Sequence, residues 1–310
     1  MKKALITGGA GFIGSHMAYK CIQNNIEVHI IDNLSTGRLE NIPFIQKDRF
    51  YHEDINNLKF VSDLIKKEKF DYVIHFAAMA SVVETVEQPQ QSNQVNIDAT
   101  LNILESLRLN HPNVKKFLFA SSAAVYGQLE GLPKAIDSRI DPKSPYAIQK
   151  YTGESYAKVY NQLYQLPTVS LRFFNVYGPR QNPYSDYSGV LSILNQKFIK
   201  KDTFTFYGDG LQTRDFIYID DLVEACWLVL HDDEINGKVF NLGTGQQTTL
   251  KQIVNIFEEN FNYTIPYTYK NERAGDIKHS FADITPLQNI GFKPKYSIEK
   301  GIKAYLDYQK

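Results

Sequence analysis

The chain has 310 residues, long enough for one large α/β unit or two domains sharing a core, and its 34 Lys+Arg balance its 34 Asp+Glu. That balance excludes a general electrostatic footprint for nucleic acid or a membrane surface and leaves only local basic pockets. Apolar runs such as KALI and DYVIHFAAMA fall far short of the roughly 20 residues that span a bilayer, so no membrane partner is expected.

The chain opens with KALIT (3–7), strand-like and without a charged-then-apolar leader, so a cytoplasmic location is expected. A helix-like stretch from Phe12 to about Gln23 follows, then EVHII (27–31). A polar helix pattern around 57–68 precedes DYVIHFAA (71–78), and a long helix-like stretch from about Asn93 to Asn110 precedes KKFLFASS (115–122). A helix beginning near Tyr146 leads into PTVSLRFFN (167–175). Short β-rich runs alternating with helices predict a doubly wound parallel sheet, an α/β fold. After Asn175 the pattern loosens, with FTFYGDG, RDFIYIDD and KVFNLGTG reading as a smaller second α/β lobe. Cys21 and Cys226 lie in apolar helix-like settings and read as buried free thiols. The seven histidines show no metal-ligand spacing, so no metal site is expected, and His75 at a strand end carries no catalytic signal.

LITGGAGFIGSH (5–16) places glycines between a strand and a helix. Gly9, Gly11 and Gly14 spell GxGxxG, while Gly8, Gly11 and Gly14 spell GxxGxxG. Glycines there let backbone approach a pyrophosphate, and the helix start supplies N–H groups and a positive dipole end. Asp32 closes the second strand near the distance expected for an acid on the adenosine ribose, which favours NAD over NADP because a carboxylate repels a 2′-phosphate. SPYAIQK puts Tyr146 and Lys150 four apart on one helix face. That spacing alone also fits an ordinary polar helix surface.

With TGGAGFIGSH, IDNLSTG, EDI, HFAA, ASSAAVYG, SPYAIQK, LRFFNVYGPRQ, GDGLQTRDFIYIDD, NLGTG and RAGDIKHSFADI in this order, the whole chain resembles the extended short-chain dehydrogenase/reductases. Within them it is most similar to nucleotide-sugar 4-epimerases of the UDP-glucose and UDP-N-acetylglucosamine type. The resemblance implies a Rossmann NAD domain over 1–175 plus about 214–244, a nucleotide-sugar domain over about 176–213 plus 245–310, and a homodimer through helices near 93–109 and 146–164. Ser122, Tyr146 and Lys150 match the catalytic trio. The tyrosine takes the proton from the sugar 4-hydroxyl as hydride leaves C4 for NAD, giving a 4-keto sugar that turns and is reduced on its other face. Free tyrosine has a pKa near 10, so the lysine and a positive nicotinamide are expected to lower it.

By the same resemblance, Gly8, Gly11, Phe12, Ile13, Gly14, Asp32, Asn33, Asp54, Ile55, Phe76, Ala77 and Ala78 surround the cofactor together with Tyr146 and Lys150. Ser121, Ser122, Asn175, Arg214, Arg273, Asp276 and Ser280 meet the UDP-sugar, the two arginines as diphosphate clamps. Ala123 and Ala124 follow Ser122 where sister 4,6-dehydratases and decarboxylases carry an acid, which favours plain epimerisation. Ser280 falls where galactose-specific relatives carry a bulky tyrosine, leaving room for an acetamido group. UDP-GlcNAc/UDP-GalNAc is therefore the expected substrate pair, with UDP-Glc/UDP-Gal as a further one. Ser280 also reads simply as a small strand residue, and Arg180 with Lys278 keeps UDP-glucuronate or UDP-N-acetylglucosaminuronate 4-epimerase as the alternative. A dTDP-sugar dehydratase and an inactive NAD-binding scaffold are the remaining readings, the latter disfavoured because both Tyr146 and Lys150 are present.

Overall fold

The computed structural model describes residues 1–182, 189–272 and 277–308. In chain order they form β1 (Lys3–Thr7), α1 (Phe12–Gln23), β2 (Glu27–Asp32), β3 (Phe50–His52), α2 (Leu58–Glu68), β4 (Tyr72–His75), α3 (Val82–Glu87), α4 (Pro89–Asn93), α5 (Ala99–Asn110), β5 (Lys116–Ser122), α6 (Pro145–Tyr164), β6 (Thr168–Phe173) and β7 (Asn175–Tyr177). There follow α7 (Val190–Lys200), β8 (Phe204–Tyr207), β9 (Thr213–Arg214), β10 (Phe216–Tyr218), α8 (Ile219–Leu230), β11 (Lys238–Leu242), β12 (Thr248–Thr249), α9 (Leu250–Phe261), β13 (Tyr267–Lys270), α10 (Thr285–Asn289) and α11 (Ile298–Asp307).

By internal contacts the chain divides into two units. The first comprises Met1–Val125, Pro142–Arg172 and Val223–Phe240; the second comprises Tyr126–Asp141, Phe173–Leu222 and Asn241–Lys310. Residues 126–141 thus group with 173–222 and 241–310 in the second unit. Tyr126 explains this grouping: its hydroxyl donates to Asn241 at 2.6 Å, and Asn241 in turn donates to the Lys134 carbonyl.

In the first unit, seven strands among the described residues run in the order β11-β6-β5-β4-β1-β2-β3. The pairs β3–β2, β2–β1, β1–β4 and β4–β5 are all parallel, as the alternation of strands and helices predicts. Both faces are covered, so β4 is buried throughout and β5 up to Ser121, with no in–out alternation. Leu5, Ile31, Val73, Phe117 and Phe119 pack with Ile103, Leu104 and Leu107 of α5 and Ala157 of α6 to form the core. Strand order reverses at β1, between β4 and β2, the crevice where open α/β sheets bind ligands.

The helix expected from Asn93 to Asn110 is interrupted. Gln94–Asp98 form a π-helical segment before α5. Asn96 supplies the cause: its side chain accepts from Met79 N–H at 2.8 Å and donates to the Met79 carbonyl at 3.0 Å, tying the segment to the loop after β4. Such local widening recurs at functional sites.

Among the described residues, the second unit holds three small pairs, β7 with β10 and β8 with β13 in parallel, and β9 with β12 antiparallel. Its helix α9 starts with a capping box, Thr249 and Gln252 exchanging hydrogen bonds with each other's backbone. Among the described residues, no helix is long and apolar enough to cross a membrane.

Candidate active site

The turn after β1 is built for close approach. Gly8 adopts φ +69°, and a Cβ there would stand 2.8 Å from Ala77 N; a Cβ on Gly14 would collide with the Gly8 carbonyl oxygen. Phe12 and Ile13 open α1 directly behind Gly11, whose extended backbone caps the helix without a side chain. The segment Phe76–Ala78 leaves β4 alongside, Phe76 N–H donating to the Thr7 carbonyl and Ala77 N–H to the Thr7 hydroxyl. Asp32 ends β2, 7% exposed, with its carboxylate accepting from Ala10 N–H at 2.9 Å and Leu34 N–H at 2.8 Å. Burial raises its pKa, and those backbone donors oppose the rise. Asn33 donates to Asp54 at 2.8 Å, and Ile55 is buried in the core beside it. The expected cofactor residues from Gly8 to Ala78 therefore lie just past the C-terminal ends of β1, β2, β3 and β4. Close-approach glycines, a helix start and an acid at the end of β2 fit a dinucleotide: Gly8, Gly11, Phe12 and Ile13 would hold the pyrophosphate and Asp32 a ribose.

Ser122, Tyr146 and Lys150 also come together in this unit. Ser122 lies at the end of β5, where its hydroxyl accepts from Ala124 N–H at 3.2 Å and acts to lower the pKa of the Tyr146 phenol. Ser144 caps α6 by accepting from Ala147 N–H, and Pro145 occupies its first turn, which places Tyr146 at the very start of the helix. Lys150 is 5% exposed and donates from Nζ to the Ala120 carbonyl at 2.8 Å. The same Nζ sits 5.8 Å from the centre of the Tyr146 ring and 5.1 Å from that of Phe119. Burial pulls Lys150 down to about 8 and pushes the Tyr146 phenol up, the Ser122 hydroxyl working against the latter. The expected lowering of Tyr146 is thus not achieved by protein groups alone, because desolvation outweighs them.

Other polar groups close around the trio. His75 bonds the hydroxyls of Thr7 at 2.7 Å and Thr100 at 2.9 Å, and burial with the nearby Lys150 charge brings it down to about 3, so it is a neutral structural residue. Asn96 donates to Gln149 at 2.7 Å, and Gln149 donates to Ser92 at 2.8 Å, binding α6 to the π segment and α4. Ser121, expected beside the substrate, is 2% exposed and donates to Glu154 at 2.8 Å. Sequence spacing does not single out Asn96, Gln149 or Arg172; only Glu154, one turn beyond Lys150, leaves a periodic trace.

In the second unit, Asn175 and Arg214 share the wall of a cavity of about 320 Å³ with Phe204, Tyr207, Gln212 and Phe216. Asn175 donates to the Asp215 carbonyl at 3.0 Å, and Arg214 donates to the Thr213 carbonyl at 2.9 Å. Asp215 itself is fully buried and accepts from Thr244, Gly245 and Ala282 N–H groups, fixing the strand that carries Arg214. Ser280 is half-buried and holds the Thr213 carbonyl through its N–H at 3.2 Å. Arg273 and Asp276 lie outside the described residues. Cys21 and Cys226 are buried and unlinked, and no cluster of metal-ligand side chains occurs among the described residues.

A 3-2-1-4-5 parallel core with a glycine-rich first turn, an acid ending β2 and a Ser–Tyr–Lys trio defines a dinucleotide-dependent protein of the short-chain dehydrogenase type. The chain belongs to the NAD dependent epimerase/dehydratase family, whose model matches residues 4–243. A putative UDP-glucose 4-epimerase of Methanocaldococcus jannaschii is 38% identical, with 99% of this chain and 98% of that protein aligned. Among solved structures, the UDP-glucose 4-epimerase of Thermotoga maritima with UDP-glucose is 36% identical at a TM-score of 0.92, over 99% of this chain and 98% of that one. The UDP-N-acetylglucosamine 4-epimerase of Methanobrevibacter ruminantium, in complex with UDP-N-acetylmuramic acid, is 37% identical, again at 0.92 and with the same coverage.

Proposed function

We propose that this NAD-dependent UDP-sugar 4-epimerase interconverts UDP-GlcNAc and UDP-GalNAc, with UDP-Glc/UDP-Gal as a further pair. The observation that carries epimerisation is the gathering of Ser122, Tyr146 and Lys150, with the Lys150 Nζ 5.8 Å from the Tyr146 ring and with Ala123 and Ala124 following Ser122. Tyr146 removes the proton of the sugar 4-hydroxyl and returns it. Ser122 holds the same oxygen, and Lys150 keeps a positive charge beside the phenol's helix face. When bound, NAD supplies the electron-pair acceptor and donor for the sugar C4 and a positive ring that favours the phenolate. Neither alanine after Ser122 has a group that can give or take a proton, so elimination across C5 and C6 lacks an acid or base there.

The nucleotide half is assigned to the cavity of the second unit, where the Arg214 guanidinium suits a diphosphate and Asn175 its oxygens. Arg273 and Asp276 are assigned by motif to the diphosphate and the ribose. Ser280 carries the choice of sugar, since a small side chain leaves room for an acetamido group. A second copy of the chain is the assigned partner, supported by apolar residues exposed along α6.

Incubating the protein separately with UDP-GlcNAc, UDP-Glc and UDP-glucuronate and resolving the products tests the reading. Interconversion of the acetylated pair is expected, and Ser280→Tyr should suppress it by at least about tenfold while sparing UDP-Glc. Turnover of UDP-glucuronate alone, or an equal loss on both neutral sugars in the variant, overturns the assignment.

A further inference from the structure

Two consecutive residues at the end of β5 are hydrogen-bonded to α6, and the next one acts on its first turn. The Ala120 carbonyl accepts from Lys150 and Ser121 donates to Glu154, while the Ser122 hydroxyl acts to lower the pKa of the Tyr146 phenol. Tyr146, Lys150 and Glu154 stand four residues apart and share one helix face. On the strand, Phe119 and Ser121 point to the same side, where Phe119 packs so closely that a Cβ on Gly153 would enter its ring. The middle rung has the strongest anchor. Arg172 of β6 grips Glu154 with two parallel bonds, Nε to Oε2 at 2.9 Å and Nη2 to Oε1 at 2.6 Å. Ser121, Glu154 and Arg172 are 2%, 4% and 4% exposed. A buried bidentate pair is held in one geometry, because any shift strands a charge away from water.

We propose that Ser121 is a positioning residue: through Glu154 and Arg172 it fixes the register of β5 against α6 and so aims the adjacent Ser122 hydroxyl at Tyr146. It acts on turnover, not on sugar binding. The inference rests on the trio's assigned role in epimerisation.

The test compares Ser121→Ala and Ser121→Thr in the full chain, with kcat, KM for the UDP-sugar, thermal midpoint and the Tyr146 titration followed by NMR of 13C-labelled tyrosine. Ser121→Ala leaves the Arg172–Glu154 pair intact, so a folded protein is expected. It should lose at least roughly tenfold in kcat, the scale of a small misplacement of reacting groups, with KM unchanged. Its Tyr146 resonance should titrate at higher pH as the Ser122 hydroxyl moves off the phenol, and Ser121→Thr, which keeps the hydroxyl, should restore both. A raised KM at unchanged kcat would make Ser121 a substrate contact and overturn the proposal. A lowered midpoint with kcat and titration intact would make the rung purely structural, and also overturns it. If the wild-type chain turned over no UDP-sugar, the functional reading would fall, while the titration shift and its rescue by threonine would still decide the register.

Discussion

At the residue scale, Tyr146 and Lys150 have opposite burdens. Tyr146→Phe removes one oxygen from a site that keeps its helix start, its Ser122 neighbour and the glycine turn. The variant is expected to fold and retain NAD while losing epimerisation by several orders of magnitude, the reach of losing an acid–base group together with the bond it makes to the reacting oxygen. A product assay beside a cofactor-release assay checks it, and near-normal turnover would exclude Tyr146 as the base. Lys150 bears on stability. Its folded pKa is brought by burial to about 8 from an ordinary 10.5. Below pH 8 both folded and unfolded chains hold the proton, and the cost of burying the charge is fully present. Between pH 8 and 10.5 the folded chain sheds the proton while the unfolded chain keeps it, so stability rises through that window by up to roughly 3 kcal/mol. Urea unfolding of the wild type and Lys150→Met at pH 7.5 and 10 isolates the effect, since tyrosine ionisation is common to both. The wild type should gain relative to the variant as pH rises; a constant difference would mean that Lys150 titrates normally. The residues behind these predictions were legible in the sequence because the motifs are local. The glycine turn spans seven positions, and Tyr146 and Lys150 are one helical turn apart. Ser121 shows the limit: its partner Glu154 is 33 residues away, and Arg172 anchors that partner from another strand.

At the element scale, α6 against β5 is the contact that sets the site. Gly153 sits on α6 over the Phe119 ring, where an added methyl would come within 3.0 Å of both ring Cε atoms and closer still to Cζ. Alanine gains about 1 kcal/mol in helix propensity, but overpacking a close-packed contact between a helix backbone and a core ring costs about 1–3 kcal/mol. Crowding wins because Phe119 is 1% exposed and has no room to turn aside. Gly153→Ala is expected to lower the thermal midpoint and, by lifting α6 from the strand, to reduce kcat more than KM. An unchanged midpoint would show that the helix yields without cost. Element types and order followed from periodicity, and α1 and α6 begin where glycine and proline signals put them. The π segment at Gln94–Asp98 was not legible, because its cause is a pair of bonds from Asn96 to Met79 on a separate loop. The tie of Tyr126 to Asn241, far along the chain, is illegible for the same reason.

At the scale of the whole molecule, the open question is what covers α6. Its outer side exposes Ile148, Tyr151, Val159 and Leu163, the last 65% exposed, and Leu109 near the end of α5 is 61% exposed. Residues 148, 151, 159 and 163 recur at helical spacing, so one stripe of α6 is apolar on the side away from β5. Scattered exposed leucines need no explanation, but a stripe along a 20-residue helix is long enough to contribute to a self-complementary twofold contact of about 800 Å² per partner. A twofold contact places each substitution in the interface twice, so Leu163→Glu introduces two buried carboxylates of like charge across one axis. That is expected to convert a dimer into a monomer at micromolar concentration, measured by sedimentation velocity, with the far-ultraviolet circular dichroism unchanged. Leu109→Glu should do the same more weakly, since it stands at the end of its helix. A wild-type chain that sediments as a monomer, or a Leu163→Glu variant that stays dimeric, would remove the α6 face from the assembly and leave its apolar stripe to another role.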